Sequence, residues 1–127
     1  MLVIVEDEPQ DLATAARVLA PVGRRFKIFD SVQRVMPFLE EVRAGFVSKP
    51  EAIILDLTLR NGSGLDILAA VRREPKLEEI PVIVWTRSED PTQSEICMSL
   101  GAREVIAKTS KGHELKDAIF RLRETAS

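Results

Sequence analysis

The sequence has few of the residues that build covalent cross-links or soft metal sites, with one cysteine, one histidine and no tyrosine among 127 residues. The single cysteine, Cys97, excludes an intrachain disulfide, and its apolar helical neighbours predict a small core residue in a reducing compartment. The lone histidine, His113, excludes a histidine cluster and a Ser-His-Asp catalytic arrangement. We expect His113 to be solvated near the start of the last helix.

The sequence also lacks a strong excess of charge of one sign and any long hydrophobic run. Its 18 basic and 20 acidic residues leave a net charge of -2, which excludes a general attraction to nucleic acid or anionic lipid. The apolar run at residues 2–5 is too short to span a membrane, and no basic segment precedes it, so we expect no signal peptide. We therefore predict a cytoplasmic protein without nucleic-acid or membrane partners.

Apolar residues make up 45% of the chain, which suffices for one core, and 127 residues are too few for two ordinary domains. Short apolar runs rich in β-branched residues predict five strands, at residues 2–5, 26–29, 52–55, 82–85 and 104–107. Three of these runs are nearly continuous apolar stretches. Such runs are typical of strands covered on both faces, as in a parallel sheet.

Segments with helical spacing of apolar residues lie between and after the predicted strands. The recurring residues are Leu12, Ala15, Ala16 and Leu19; Val32, Val35, Met36 and Leu39; Leu65, Leu68 and Val71; and Leu115, Ala118, Ile119 and Leu122. Asp90 and Pro91 predict the N-cap and first residue of a further helix that runs to Leu100 and stops at Gly101. Pro37 lies inside the second pattern, so we expect a kink or a late start in that helix.

Five strands that alternate with five helices predict an α/β fold, a doubly wound open parallel sheet with helices on both faces. In such a sheet the functional site lies at the carboxyl ends of the strands, next to the point where strand order reverses. The polar residues that follow the predicted strands are Glu6, Asp7 and Glu8, then Asp56, Thr86 and Lys108. Any one of them alone is more often a helix cap or a solvated side chain, so their shared edge is what indicates a site.

Asp56 is the strongest candidate because it is a single acid between Ile53-Ile54-Leu55 and Leu57, and a carboxylate so placed needs partners. Glu6 or Asp7 beside it would bring two or three carboxylates together, and their repulsion predicts a bound cation. Oxygen ligands without a histidine cluster or cysteine pair favour a hard ion. We predict Mg²⁺ rather than Ca²⁺, because the acid spacing of a calcium-binding EF-hand loop is absent.

Lys108 and Thr86 add an ammonium and a hydroxyl donor, both suited to the oxygens of a phosphoryl group carried by a carboxylate. The segment Gly62-Ser63-Gly64 lacks the lysine and the spacing of a Walker phosphate loop. The residues therefore predict an aspartyl-phosphate pocket, for which another protein supplies the phosphate-donating histidine.

Three segments of the chain resemble the receiver domain of two-component response regulators, of the single-domain kind similar to chemotaxis regulators. Residues 3–9, VIVEDEP, resemble the family's acidic-pair turn, and residues 54–59, ILDLTL, with Gly64 beyond, resemble its phosphoacceptor strand. Residues 80–86, IPVIVWT, resemble the strand that carries the switch hydroxyl, followed by Gly101, Ala102 and Lys108. The resemblance implies a flavodoxin-like sheet of order 2-1-3-4-5 and one receiver domain over residues 1–127, without an effector domain.

The resemblance also implies roles for the strand-end residues. Asp56 would accept a phosphoryl group from a histidine kinase in a Mg²⁺-dependent reaction. The implied Mg²⁺ ligands are Asp7 and Asp56 directly, Glu6 through water, and the backbone carbonyl of Thr58. Thr86 and Lys108 would hold the phosphoryl oxygens, and Thr86 would move inward on phosphorylation. The receiver would assist its own phosphorylation and dephosphorylation without being a dedicated enzyme.

The family's partners are proteins, so we expect output through phosphorylation-dependent association. The first expected partner is a histidine kinase, and a lysine followed by a small hydroxyl residue, Lys108 and Thr109, hints at a phytochrome-type kinase. The others are a downstream protein target or a histidine phosphotransfer protein, and a second copy bound through helix four, strand five and helix five.

Four positions differ from the family's usual pattern and keep other hypotheses open. Arg60 and Thr109 stand where proline is common, Arg87 replaces a small residue, and Val105 replaces an aromatic switch residue. These changes predict that the shape change does not travel by the usual aromatic route. They also motivate a second hypothesis, a pseudo-receiver that binds a partner without phosphate. A third, an aspartyl-phosphate phosphatase, needs an acid where the chain has Thr58.

Overall fold

The structure, a computed structural model, describes residues 1–88, 90–109 and 111–125, with the side chains of the last helix described as far as Leu122. The strands are β1 Leu2–Val5, β2 Phe26–Phe29, β3 Ala52–Leu55, β4 Thr58–Leu59, β5 Gly62–Ser63, β6 Val82–Thr86 and β7 Glu104–Ala107. The helices are α1 Pro9–Leu19, α2 Val32–Arg43, α3 Gly64–Arg73, α4 Pro91–Ser99 and α5 His113–Thr125, with a 3-10 turn at Ala20–Val22.

Five of the strands form one parallel sheet in the order β2-β1-β3-β6-β7. Counted within this sheet alone, the order is 2-1-3-4-5, so the predicted flavodoxin-like topology is confirmed. Four strands keep their predicted bounds, and the fourth strand of the sheet extends one residue further, to Thr86. The antiparallel hairpin of β4 and β5 was not predicted; it pairs Thr58 with Ser63.

The sheet separates two hydrophobic cores, because successive residues of a strand point to opposite faces. On one face Val3, Val5, Ile53 and Leu55 pack with apolar residues of α2, α3 and α4. On the other, Leu2, Ile4, Ile54 and Trp85 pack with residues of α1 and α5. Both faces of the central strands are therefore covered, as their continuous apolar sequences predict.

Helices α2, α3 and α4 begin at side chains that accept hydrogen bonds from free backbone N–H groups. Ser31 accepts a hydrogen bond from the Arg34 N–H at the start of α2, and Asp90 accepts one from the Thr92 N–H at the start of α4. Of the two alternatives predicted for α2, the late start is wrong, since the helix begins at Val32 and continues past Pro37, and the kink stays a prediction. The loss of one backbone hydrogen bond at Pro37 is outweighed by the burial of apolar α2 side chains in the core that α2, α3 and α4 form with one face of the sheet, here called the first core.

The predicted apolar stripe of α5 is fully buried. In α1 the buried face differs from the predicted stripe, because it includes Asp11 and Val18 in place of Leu12 and Ala16. The buried residues of α1 are Asp11, Ala15, Val18 and Leu19, while Leu12 and Ala16 are half-buried. Cys97 is buried in the first core and His113 is exposed at the start of α5, as predicted. Among the described residues, no helix is both long and apolar enough to cross a membrane.

Gly64, the first residue of α3, fixes the position of the chain just after β3. A Cβ atom at this residue would lie 2.1 Å from the backbone oxygen of Asp56 and 2.9 Å from the Cα of Leu57. The Gly64 N–H donates to the Leu57 carbonyl at 3.0 Å. Only glycine allows this approach, so helix α3 starts directly against the backbone that presents Asp56.

Candidate functional site

The backbone ladder of the sheet continues one residue beyond three strands and thereby fixes the candidate residues. The Glu6 N–H donates to Phe29 O at 3.0 Å, the Asp56 N–H to Val5 O at 3.0 Å, and the Lys108 N–H to Thr86 O at 2.8 Å. These three residues therefore start from rigid positions at one edge of the sheet.

The ammonium group of Lys108 lies at the centre of a cluster of buried carboxylates. Its Nζ atom is 2.6 Å from Glu6 Oε2, 3.0 Å from Asp11 Oδ2 and 3.3 Å from Asp56 Oδ1. The Lys108 side chain is only 4% exposed, and its Nζ atom also lies 5.2 Å from the centre of the Trp85 ring. The ammonium is therefore held by the acids and by an aromatic face.

Burial and ion pairing oppose each other in this cluster. Burial raises the pKa of the Glu6 carboxyl, and the hydrogen bond from Lys108 offsets only part of the effect. Burial likewise raises the pKa of Asp56, against the opposing charge of Lys108. For Lys108, burial alone would lower the pKa, but hydrogen bonds to Glu6 and Asp11 outweigh it and raise the pKa overall. The buried carboxylates are therefore short of positive charge.

Three of the predicted metal ligands meet in the structure. Glu6, Asp7 and Asp56 each offer a carboxylate oxygen, and these oxygens lie within 4.8 Å of one another. Backbone N–H groups hold the carboxylates: Glu8 donates to Glu6 at 3.0 Å, Arg60 to Asp7 at 2.7 Å, and Thr58 to Asp56 at 3.3 Å. This set of oxygen ligands suits a hard divalent cation.

An open pocket of about 380 Å³ contains these groups. It is lined by Asp7, Glu8, Asp11, Asp56, Thr58, Leu59, Arg60, Thr86, Arg87, Ser88 and Lys108. Thr86 is 5% exposed, and its hydroxyl oxygen accepts a hydrogen bond from the Ser88 N–H at 3.1 Å. The structure therefore brings Asp7, Asp56, Thr58, Thr86 and Lys108 to one cavity, with Glu6 in contact with its lysine.

Asp11 was missed by the sequence reasoning, and Arg87 was singled out as a departure from the family pattern but not as a partner of Asp11. Asp11 accepts from Lys108 with one oxygen and from Arg87 with the other, at 3.0 and 2.5 Å. The signal was present in α1, because Asp11 lies four residues before Ala15 and seven before Val18, on the helix face that is buried. An acid in an apolar stripe needs partners, as at Asp56.

The remaining departures from the family pattern lie at the β7 edge of the sheet and in the segment that follows it. Val105 is half-buried in β7 and pairs with Val84 of β6. The Thr109 hydroxyl donates to Glu114 Oε2 at 2.6 Å, and the described residues contain no cis peptide bond. Thr109 is thus tied to the first turn of α5, outside the acid cluster.

The chain matches the family described as "Response regulator receiver domain" over residues 2–120. It is 26% identical over 119 residues to the two-component response regulator ORR6 of Oryza sativa subsp. japonica, covering 94% of this chain and 68% of that protein. The first three curated relatives are matched over 18%, 68% and 52% of their lengths.

Two solved structures are similar in fold and in sequence. The Mn(2+)-bound form of response regulator Rcp1 is 25% identical, with a TM-score of 0.76 over 97% of this chain and 88% of that one. The bacteriophytochrome response regulator RtBRR is 25% identical, with a TM-score of 0.82 over 95% of this chain and 76% of that one. With the family match over almost its whole length, this chain belongs to the response regulator receiver domain family of two-component signalling.

Proposed function

We propose that this protein accepts a phosphoryl group from a histidine kinase on Asp56, in a Mg²⁺-dependent reaction, and signals through phosphorylation-dependent binding of another protein. The observation that carries the proposal is the convergence of Asp56, its neighbours Glu6 and Asp7, and the Lys108 ammonium at one edge of the sheet. A nucleophilic carboxylate, oxygen ligands for a metal and a cation for the phosphoryl oxygens are the parts this transfer needs.

The charges in the pocket fit a divalent cation. Four carboxylates, those of Glu6, Asp7, Asp11 and Asp56, outnumber the two cations Lys108 and Arg87, and the opposite charges of Glu8 and Arg60 at the same pocket cancel. Two negative charges are therefore left over. Asp7, Asp56 and the Thr58 carbonyl would hold Mg²⁺ directly, and Glu6 would act through water, as the family resemblance implies. Bound Mg²⁺ supplies charge neutralisation for the oxygens of the incoming phosphoryl group. The similar structure of Rcp1 is a Mn(2+)-bound form, which supports the binding of a divalent cation by this chain.

In the proposed transfer, an Asp56 carboxylate oxygen attacks the phosphorus of a phosphohistidine on the kinase. The phosphorus–oxygen bond forms as the phosphorus–nitrogen bond breaks, and the imidazole nitrogen leaves with the electron pair. Lys108 and the Thr86 hydroxyl donate to the phosphoryl oxygens and stabilise their charge. Dephosphorylation is a separate hydrolysis: water attacks the phosphorus, the bond between phosphorus and the Asp56 oxygen breaks, and inorganic phosphate leaves. In this proposal the chain assists both steps without being a dedicated enzyme.

The proposed partners are a phytochrome-type histidine kinase, for which the likeness to the bacteriophytochrome response regulator RtBRR is the support, and a downstream target or histidine phosphotransfer protein. Exposed apolar side chains on α4 and α5, Ile96 at 45%, Met98 at 51% and Phe120 at 40%, favour the α4–β7–α5 face for binding, including by a second copy. A cytoplasmic location belongs to the proposal, since one free cysteine suits a reducing compartment.

The test is phosphorylation of the purified protein with Mg²⁺, by acetyl phosphate and separately by candidate kinases, followed by intact-mass measurement. Wild-type protein should gain one phosphoryl group, Asp56→Asn should gain none, and Asp66→Asn, which changes an exposed acid of α3, should behave as wild type. An unlabelled wild-type protein under both conditions would sink the proposal.

The pseudo-receiver remains a second candidate because Arg87 and Arg60 both line the pocket where the family usually has a small residue and a proline. A Mg²⁺ titration followed by Trp85 fluorescence separates the two, since Trp85 contacts the Lys108 ammonium that faces the acids. Unaltered emission together with no phosphorylation favours a binding module that works without phosphate. A saturating change in emission together with labelling of Asp56 favours the receiver.

A further inference from the structure

Asp11 connects two cations that differ greatly in freedom. The Asp11 side chain is 7% exposed, and its two oxygens are shared between Lys108 and Arg87. The Lys108 side chain is 4% exposed and fixed by three acids, whereas the Arg87 side chain is 61% exposed and, among the described residues, is held by Asp11 alone. Arg87 is therefore the cation that can move at low cost.

The Asp11–Arg87 ion pair forms a wall between two cavities. One is the pocket of about 380 Å³ that contains Asp56. The other, about 180 Å³, is lined by Gln10, Asp11, Thr14, Arg87 and Thr109. Both residues of the pair line both cavities, so the Arg87 side chain already borders the pocket that contains Asp56.

We propose that Arg87 binds the phosphoryl group carried by Asp56, and that Asp11 holds Arg87 aside until that group arrives; this inference rests on the proposed function. A phosphoryl group carries about 1.5 to 2 negative charges, against one on Asp11, so it competes successfully for the guanidinium. The planar fork of arginine matches phosphoryl oxygens better than it matches a single carboxylate oxygen. Asp11 is then a positioning residue, and Arg87 a direct ligand.

Movement of Arg87 would reach α4 through a short series of hydrogen bonds. The Ser88 N–H donates to the Thr86 hydroxyl at 3.1 Å, and the Asp90 N–H donates to the Ser88 hydroxyl at 3.2 Å. Asp90 in turn caps α4 by accepting from the Thr92 N–H at 3.0 Å. The loop that carries Arg87 is thus tied at one end to the pocket and at the other to the start of a helix, without any aromatic switch at Val105.

The experiment is a titration with beryllium trifluoride, which binds a carboxylate in the shape of a phosphoryl group, in the presence of Mg²⁺ and with Trp85 fluorescence as the readout. Arg87→Ala should weaken binding about 10-fold or more, because a charge-assisted donor is lost. Asp11→Asn should tighten binding about 3-fold or more, because a competing negative charge is lost. Arg73→Ala changes an exposed arginine outside the pocket and should match wild type.

The opposite signs of the two effects exclude a merely structural role, for which both substitutions would weaken binding. Binding by Arg87→Ala within 2-fold of wild type overturns the inference, and so does weaker binding by Asp11→Asn in a protein that melts as wild type does. If Asp11→Asn does not fold, Arg87→Ala alone decides, since its side chain is mostly exposed.

Failure of the two proposals can be told apart. If the wild-type protein is labelled on Asp56 but Arg87→Ala binds beryllium trifluoride as tightly as wild type does, the inference is overturned and the proposed function is kept. A protein whose affinity depends on Arg87 but that takes no label from any donor overturns the proposed function and, with it, the inference, because no phosphoryl group then reaches Asp56. A wild-type protein that neither binds the mimic nor takes a label overturns both.

Discussion

The acid pocket at the carboxyl end of the central strands and the outer edge strand β7 are packed very differently. Glu6 is 0% exposed, Thr86 5% and Asp56 6%, whereas three of the four β7 residues are half-buried and Ala107 is exposed. The pocket is surrounded by β1, β3 and β6, which have neighbours on both sides in the sheet, while β7 has a neighbour on one side only.

This difference explains where the chain departs from its family. Arg60, Arg87 and Thr109 are exposed and Val105 is half-buried, so a change of side chain at these positions costs little packing. The buried acids and the lysine are held by several partners each, so a change of side chain there alters the charge balance of the whole cluster. Burial therefore constrains the charged residues inside the pocket, whereas the exposed positions at its rim, Arg60 and Arg87, and those at and after β7 are free to vary.

The largest expected effect breaks the pocket itself. Gly64→Ala would place a Cβ atom against the backbone oxygen of Asp56, and backbone cannot move aside as a flexible side chain does. We expect the free energy of unfolding to fall by about 3 kcal/mol, the upper part of the usual range for overpacking. Urea unfolding followed by circular dichroism measures it.

Gly23→Ala is the control for this substitution. Its φ of +73° lies in the left-handed region that favours glycine, but a Cβ atom there would meet nothing within 4 Å. A loss of about 1 kcal/mol is expected from the left-handed backbone alone. Equal losses at Gly64 and Gly23 would contradict the close approach of α3 to Asp56.

A second, smaller effect is expected from substitutions of two valines, one in the interior strand β6 and one in the edge strand β7. Val84 and Val105 are register partners on adjacent strands, one 0% exposed and the other half-buried. Val84→Ala should lower the free energy of unfolding by about 2.5 kcal/mol, and Val105→Ala by about 1 kcal/mol, since less apolar surface is buried at the edge. Urea midpoints of the two variants measure the difference, and a larger loss at Val105 would contradict it.

The fold was predictable because its main signals are local. Continuous apolar runs gave the strands of the parallel sheet, with four of five bounds unchanged, and Asp90-Pro91 gave the start of α4. The start of α2 was predicted less well, because the local cost of Pro37 is outweighed by packing that the sequence does not display. The β4–β5 hairpin consists of two-residue strands, too short for any period to appear.

The sequence predicted those residues of the candidate site that lie at the ends of strands. Glu6, Asp7, Asp56, Thr86 and Lys108 each follow or end a strand, so topology alone brings them to one edge. Asp11 and Arg87 belong to a helix and a loop, and their contact depends on how α1 packs on the sheet. The position of an acid on the buried face of α1 would have singled out Asp11. Its hydrogen bond to Arg87 could not be predicted in this way, because the two residues are 76 positions apart in the sequence.

The smallest expected effect tests the surplus of negative charge in the pocket. Asp56→Asn keeps the size of the side chain and its acceptor for the Thr58 N–H, but removes one of four carboxylates that face two cations. Without metal, the free energy of unfolding should therefore rise by about 1 kcal/mol, the size of one close repulsion between partly solvated charges. Urea unfolding in EDTA measures it, with Asp66→Asn as the exposed control.

Added Mg²⁺ should reverse this order of stability. A cation that binds the folded state stabilises it in proportion to its affinity, and the wild-type pocket offers one carboxylate more than Asp56→Asn does. The urea midpoint of the wild-type protein should then rise with Mg²⁺ concentration and pass that of Asp56→Asn, which rises less. If Asp56→Asn is instead the less stable protein in EDTA, the Asp56 charge is already fully compensated by Lys108. The pocket then needs no metal ion in addition to Lys108 and Arg87.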